Sequence, residues 1–159
     1  MVLVKFTLNG RYIEANVEPN EILLNTLRNK LGIKSVKRGC ERGECGACTI
    51  LLDGKPVYSC MLLTVQVDGH SINTVDSLWN NELFKKLVYN FTIKGAIQCG
   101  YCSPGFLITA YALLRTRKAI SREGILKAIE GNLCRCTGYK KIIEAIMETY
   151  KCIQTKNSG

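Results

Sequence analysis

Three cysteines spaced C-x4-C-x2-C, Cys40, Cys45 and Cys48, lie in the stretch GCERGECGACTI from Gly39 to Ile50, and a fourth, Cys60, follows after eleven intervening residues. Four thiolates at this spacing fit a plant-type 2Fe-2S cluster, in which cysteine sulfurs hold two irons bridged by sulfide. The sulfurs of such a group carry negative charge, which backbone N–H groups turned towards them can offset. Gly39, Gly43 and Gly46 supply the means, because without a Cβ they can take positive φ and wrap the chain closely as an anion-binding nest. A zinc knuckle or a set of disulfides is the competing reading of the same residues.

A second set has a different spacing. Cys99 and Cys102 precede a helix signal at Pro104, and Cys134 and Cys136 precede another at Gly138. If those helices run side by side, four thiolates meet where both helix dipoles are positive, which suits an anionic cluster. A redox-active C-x2-C disulfide would need a strand leading into the pair and would leave Cys134 and Cys136 idle. Zinc held by all four is the other alternative, although C-x-C is shorter than its usual ligand spacing. Cys152, near the polar C-terminal tail, is left over as a bystander. His70, the one histidine, follows Asp68-Gly69 and is expected in a surface turn.

The elements that must position these cysteines fall into two kinds. Val2, Val4, Phe6 and Leu8 alternate, Asn9-Gly10 is a hairpin dipeptide, and Tyr12 to Val17 resumes an extended pattern. Asn20 can cap a helix from Glu21 to Leu31, with Ile22, Leu23, Leu24, Leu27 and Leu31 on one face and Gly32 as its stop. Thr49 to Leu52, the turn Asp53-Gly54, and Pro56 to Cys60 predict a second hairpin that returns the fourth thiolate to the loop. Ser71 to Val75 is a further short strand.

From Asp76 onward helical periods replace strand patterns, which divides the chain into residues 1–76 and 77–159. Leu83, Phe84, Leu87, Val88 and Phe91 form one helix face. Ser103-Pro104 reads as cap and first turn of a helix to Arg115, with Arg115, Arg117 and Lys118 at or past its end. Ser121 caps a third helix carrying Ile125, Leu126 and Ile129 and ended by Gly131. Thr137 is the expected cap of a fourth, with Ile142, Ile143, Ile146, Met147 and Tyr150 on one face. The expected fold class is therefore α+β, and these apolar stripes read as core.

At 159 residues and 47% hydrophobic composition, the chain has enough apolar surface for a core. No leader pattern and no apolar run of membrane-spanning length is visible, so the expectation is an intracellular, cytoplasmic protein whose thiols stay reduced. Two oxidised clusters on eight thiolates would bring the formal charge of +9 to about +5. Lys34, Lys37, Arg38 and Arg42 are interrupted by Glu41 and Glu44 and carry no interleaved aromatics, which argues against nucleic-acid binding and for a solvated or partner-facing basic surface.

QCGYCSPG at Gln98 to Gly105, GNLCRCTGY at Gly131 to Tyr139, and the Gly39 to Ile50 stretch together resemble the small iron-sulfur subunit of the xanthine oxidase family of molybdenum hydroxylases, which includes aldehyde oxidoreductases and aerobic carbon monoxide dehydrogenases. The resemblance covers about residues 3–150. It implies a plant-ferredoxin-like (β-grasp) N-terminal domain and a C-terminal domain resembling a four-helix bundle, each with one 2Fe-2S cluster. It also implies a molybdopterin cofactor in a large partner subunit beside the helical cluster, and an FAD in a medium subunit facing the N-terminal one. Gln98 and Cys136 match the family positions close to the pterin. The separate-subunit form implies a heterotrimer or a dimer of heterotrimers.

No dinucleotide fingerprint, nucleophile elbow or His-rich site is present, so the chain carries no substrate chemistry of its own. Electrons are expected to pass from the molybdenum partner to the Cys99/Cys102/Cys134/Cys136 cluster, then to the Cys40/Cys45/Cys48/Cys60 cluster, then to flavin. Hydroxylation, with oxygen from water, would belong to the large subunit. Aldehydes are the favoured substrate, with carbon monoxide, purines and other N-heterocycles also open. The rival reading is a free-standing two-cluster ferredoxin.

Overall fold

The computed structural model describes residues 1–116 and 119–155. The N-terminal half is built on β1 (Val2–Leu8) and β2 (Arg11–Val17), which pair antiparallel from Val2 opposite Val17 to Leu8 opposite Arg11. Asn9 and Gly10 both take positive φ, at 53° and 81°, as a primed two-residue turn requires. Val4, Phe6 and Leu8 are buried as the alternation predicts, whereas Val2, at the start of the strand, is exposed. β3 (Thr49–Leu52) and β4 (Lys55–Tyr58) form the second hairpin around Asp53 and Gly54, and β5 (Ser71–Asn73) lies between the hairpins, parallel to β1 and antiparallel to β3. The sheet order is β2-β1-β5-β3-β4.

The helix expected from Glu21 to Leu31 is shorter and changes form. α1 spans Leu23–Asn25 and continues as a π-helical turn, Thr26–Lys30. Asn20 does not cap it. Ile22 pairs as a β-bridge with Leu63, and the Leu23 N–H is taken by the Leu62 carbonyl at 2.8 Å, so backbone replaces a side-chain cap. Gly32 stops the helix at φ 70°, and the Ile33 N–H returns to the Leu27 carbonyl at 2.8 Å. Leu23, Leu24 and Leu27 are buried under the sheet, each burial stabilising by about 2 kcal/mol.

Four helices follow: α2 (Glu82–Ile93), α3 (Ser103–Arg115), α4 (Arg122–Ile129) and α5 (Lys140–Gln154). Asn81 and Ser121 cap α2 and α4 through their side chains. Ser103 is not the cap of α3: it is already inside the helix, and Cys102 holds the cap position. Nor does Thr137 cap α5, which begins only after Tyr139 turns the chain at φ 68°. Leu126, expected in the core stripe of α4, is exposed. Arg117 and Lys118 lie outside the described residues.

Strand β3 is where the halves meet. Ile50 points into the core of the sheet and α1, whereas its neighbour Leu51 joins the helical core with Phe84, Phe91 and Phe106. Strand geometry sends successive side chains to opposite faces, so this one strand serves both cores. The consequence is a seam along which the loop before β3 faces the loops before α3 and α5.

Candidate metal centres

The loop from Cys40 to Cys45 is wound around a sulfur. The N–H groups of Arg42, Glu44 and Cys45 donate to Cys40 Sγ at 3.4, 3.3 and 3.4 Å, and the Cys40 N–H donates to Cys45 Sγ at 3.4 Å. This is the amide nest that an anionic group needs. Positive φ occurs at Gly43 and Gly46, as expected, and also at Glu41, but not at Gly39. Gly39 is required for space instead, because a Cβ there would stand 2.6 Å from Cys45 Sγ. The Arg42 N–H, then those of Glu44 and Cys45, pull the Cys40 thiol down to about 7.

Cys48 and Cys60 sit deeper, both buried. A 3-10 turn, Ser59–Met61, presents Cys60 directly after β4, and Ser59 Oγ locks it by donating to the Cys48 carbonyl at 2.9 Å. Burial pushes the Cys48 thiol up to about 12. Cys40 and Cys45 are held against each other by the reciprocal N–H to Sγ contacts, and Cys48 and Cys60 are joined through Ser59, whose N–H also donates to the Cys48 carbonyl at 3.3 Å.

In the second set the four thiols lie close enough to influence one another electrostatically, Cys102 with Cys134 and Cys99, and Cys136 with Cys99 and Cys134. α3 starts immediately after Cys102, and burial raises that thiol to about 12. Burial alone would also raise Cys134, but hydrogen bonds outweigh it and lower the thiol, led by the Thr137 hydroxyl, which donates to Cys134 Sγ at 3.1 Å. The Cys134 N–H donates to the Tyr139 hydroxyl at 3.1 Å, and the Tyr139 N–H to Thr137 Oγ1 at 3.3 Å. These contacts explain why α5 starts late: the residues before it wrap Cys134 instead of coiling. Gln98 Nε2 donates to the Cys136 carbonyl at 3.3 Å. Cys99 and Cys136 are exposed, and Ile97, Tyr101 and Leu133 expose apolar surface around them.

All nine cysteines are free thiols. Among the described residues, no group of three or more His, Cys, Asp or Glu side chains is placed to hold a metal ion as the protein stands. Each set nonetheless gathers four cysteines from loops adjoining one seam. The donor chemistry fits as well, with sulfur-only ligands and inward-facing amides.

The two sets are tied to one another. The Leu133 N–H donates to the Cys45 carbonyl at 2.9 Å. Asn132 Nδ2 donates to the Gly46 carbonyl at 3.1 Å while its Oδ1 accepts from Thr109 at 2.9 Å, and Tyr58 donates to the Gly131 carbonyl at 2.9 Å. The Tyr101 hydroxyl, between Cys99 and Cys102, donates to the Arg38 carbonyl. None of Asn132, Tyr58, Thr109 or Tyr101 is visible as a site residue from spacing, because each acts through a contact distant in sequence. Cys152 is apart from both sets, on α5. His70 is on the surface, with Nδ1 2.5 Å from Asp53.

Two family profiles match the chain in succession: a 2Fe-2S iron-sulfur cluster binding domain over residues 6–71 and a [2Fe-2S] binding domain over residues 74–147. The chain belongs to the family of small iron-sulfur subunits of the molybdenum hydroxylases. It is 43% identical to the nicotine 6-hydroxylase small subunit of Paenarthrobacter nicotinovorans, over 98% of this chain and 94% of that protein. It is likewise 43% identical to the nicotinate dehydrogenase small FeS subunit of Eubacterium barkeri, over 91% and 92%. The crystal structure of quinoline 2-oxidoreductase from Pseudomonas putida 86 superposes with a TM-score of 0.89 at 41% identity, over 97% of this chain and 96% of that one. Aldehyde oxidoreductase from Desulfovibrio gigas gives a TM-score of 0.88 at 38% identity, and there the match spans 98% of this chain but 18% of the longer neighbour. The zinc, disulfide and thioredoxin-like readings give way to two 2Fe-2S domains.

Proposed function

We propose that Cys40, Cys45, Cys48 and Cys60 hold one 2Fe-2S cluster, that Cys99, Cys102, Cys134 and Cys136 hold the other, and that the chain relays electrons from a molybdopterin-binding large subunit to an FAD-binding medium subunit. The observation that carries this is the amide-wrapped sulfur of the Cys40 loop, hydrogen-bonded across one seam to the loop that carries Cys134. Each bound cluster accepts and releases one electron at a time.

The chain's own residues give the relay its direction. Gln98 fixes the Cys136 carbonyl, and the exposed Cys99, Cys136, Ile97, Tyr101 and Leu133 form an apolar-rimmed face suited to docking on the large subunit. At the other end, Glu41, Arg42 and Glu44 are exposed around Cys40, a polar face suited to the flavin-carrying partner. Gly43 and Gly46 shape that loop, and Gly39 leaves room for Cys45. The units 1–76 and 77–159 correspond in this reading to the two stations, supported by the separate sheet and helical cores. The assembly is a heterotrimer or its dimer, located in the cytoplasm. No helix among the described residues is long and apolar enough to cross a membrane.

The substrate belongs to the large subunit. Relatives matched nearly end to end as separate subunits are named for nicotine, nicotinate and caffeine, so a nitrogen heteroaromatic is the first substrate class to test. An aldehyde, the favoured class from the sequence, remains the second, supported by 40% identity to the aldehyde oxidoreductase of Megalodesulfovibrio gigas, 18% of which this chain matches. Co-purification from an oxygen-free lysate tests the assembly: two larger chains with molybdenum and flavin are expected, together with iron and labile sulfide on this one. Isolation of this chain alone, loaded and stable, would establish the free-standing ferredoxin. A screen of both substrate classes with an artificial acceptor decides between them.

A further inference from the structure

Asn132 lies between the two cysteine sets and belongs to neither. Its side chain is 3% exposed and its amide is used at both ends, with Nδ2 donating to Gly46 and Oδ1 accepting from Thr109 on α3. Nδ2 also lies 3.5 Å from Thr49 Oγ1, which itself donates to the Gly46 carbonyl at 2.6 Å. The surroundings leave no tolerance. A Cβ on Gly46 would stand 2.4 Å from both Asn132 Nδ2 and the Gly131 carbonyl, and one on Gly105 would stand 2.3 Å from the Gly46 carbonyl. Gly46 in the cysteine loop, Gly105 in the first turn of α3 and Gly131 after α4 therefore let the chain approach closely, and Asn132 is the polar peg among them.

The next residue shows what the peg positions. The Leu133 N–H donates to the Cys45 carbonyl at 2.9 Å, and Leu133 is bonded directly to Cys134. A sulfur of one set is thus joined to a sulfur of the other through main chain and a single hydrogen bond, with no other side chain in between. We propose that Asn132 is a positioning residue for electron transfer between the two sites, holding Gly46 against α3 so that the Cys45 carbonyl meets the Leu133 N–H and couples the cysteine sets. This rests on the two-cluster reading above. Each transfer moves one electron: the Cys99/Cys102/Cys134/Cys136 site is oxidised by one, the Cys40/Cys45/Cys48/Cys60 site is reduced by one, and no bond breaks and no proton moves.

The test uses Asn132→Ala in the assembled complex, with iron and labile sulfide measured first. Wild-type protein holding zinc without iron would end the two-cluster reading itself, separately from this inference. In the fully loaded variant, photoreduction of the helical site should be followed by inter-site transfer slowed roughly tenfold, the scale of a small misplacement of reacting partners. The spin–spin splitting between the two reduced signals should weaken while each site keeps its own potential, a pattern that loss of stability alone does not produce. Wild-type rate and splitting at full loading would overturn the inference. Should Asn132→Ala lose iron, Thr109→Val decides: it frees the Asn132 amide from α3 without removing it. A slower rate at full loading then supports the role, and an unchanged one overturns it.

Discussion

The Thr137 hydroxyl donates to Cys134 Sγ across 3.1 Å, and the same oxygen accepts the Tyr139 N–H, so one side chain both steers a sulfur and delays a helix. Hydrogen bonds to a ligand sulfur stabilise its more negative state and raise the reduction potential. Thr137→Val should therefore lower the potential of the helical site and leave the other unchanged. Loss of about 1 kcal/mol of hydrogen-bond preference corresponds to a one-electron shift of about 40 mV. Redox titration followed by electron paramagnetic resonance reads both sites in one experiment, and a shift at the Cys40 site instead would reverse the assignment.

Ligand identity is tested by Cys102→Ser. One of the two signals of the reduced protein should vanish while the signal of the Cys40 loop survives, with iron content falling by about half. Loss of both signals, or of neither, would show that the two sets do not act as two sites.

Gly46→Ala places a Cβ among backbone atoms at φ 65° and 2.4 Å from the Gly131 carbonyl. The carbonyl is main chain and the Asn132 amide beside it is held at both ends, so a destabilisation of roughly 2–4 kcal/mol is expected. Thermal unfolding and iron content of the purified complex measure it. Gly131→Ala is the milder comparison, because its Cβ meets the far end of the Tyr58 side chain rather than main chain.

Much of this was legible in the sequence because it is local. Asn9-Gly10 and Asp53-Gly54 fix their turns through backbone sterics alone, and the cysteine spacing marks both sites. What escaped was settled by partners far along the chain. Asn20 yielded its capping role because Leu62 and Leu63 reach α1 from another loop, Ser103 lies inside α3 because Cys102 takes the cap position, and Thr137 is drawn into wrapping Cys134 rather than capping α5. Asn132 looks like an ordinary loop residue until Gly46 and Thr109 are seen to flank it. Gly39 was expected for its dihedral freedom and is needed for the volume of a sulfur.

Glu21 gives a pH dependence. Burial alone would raise its carboxyl, but hydrogen bonds from Lys30 Nζ at 2.6 Å and Thr26 Oγ1 at 2.8 Å outweigh it and hold it below the ordinary 4.5. Its stabilisation is complete above the unfolded-state value and is lost as pH falls through the lower folded-state value. Glu21→Gln should destabilise by about 1 kcal/mol near neutral pH, and the difference from wild type should close in acid. Denaturant unfolding at the two pH values checks both the size and the sign.

The uneven burial of the eight thiols sets an order of ageing. Cys48 and Cys60 are buried, while Cys99 and Cys136 are exposed on the face that a large subunit would cover. Air and chelators reach exposed sulfur first. A subunit left without its partner should therefore decay from the helical end, its second signal fading before its first, whereas the assembled enzyme should lose both together and slowly. The partner surface acts as a seal, and an orphaned chain carries its own timer.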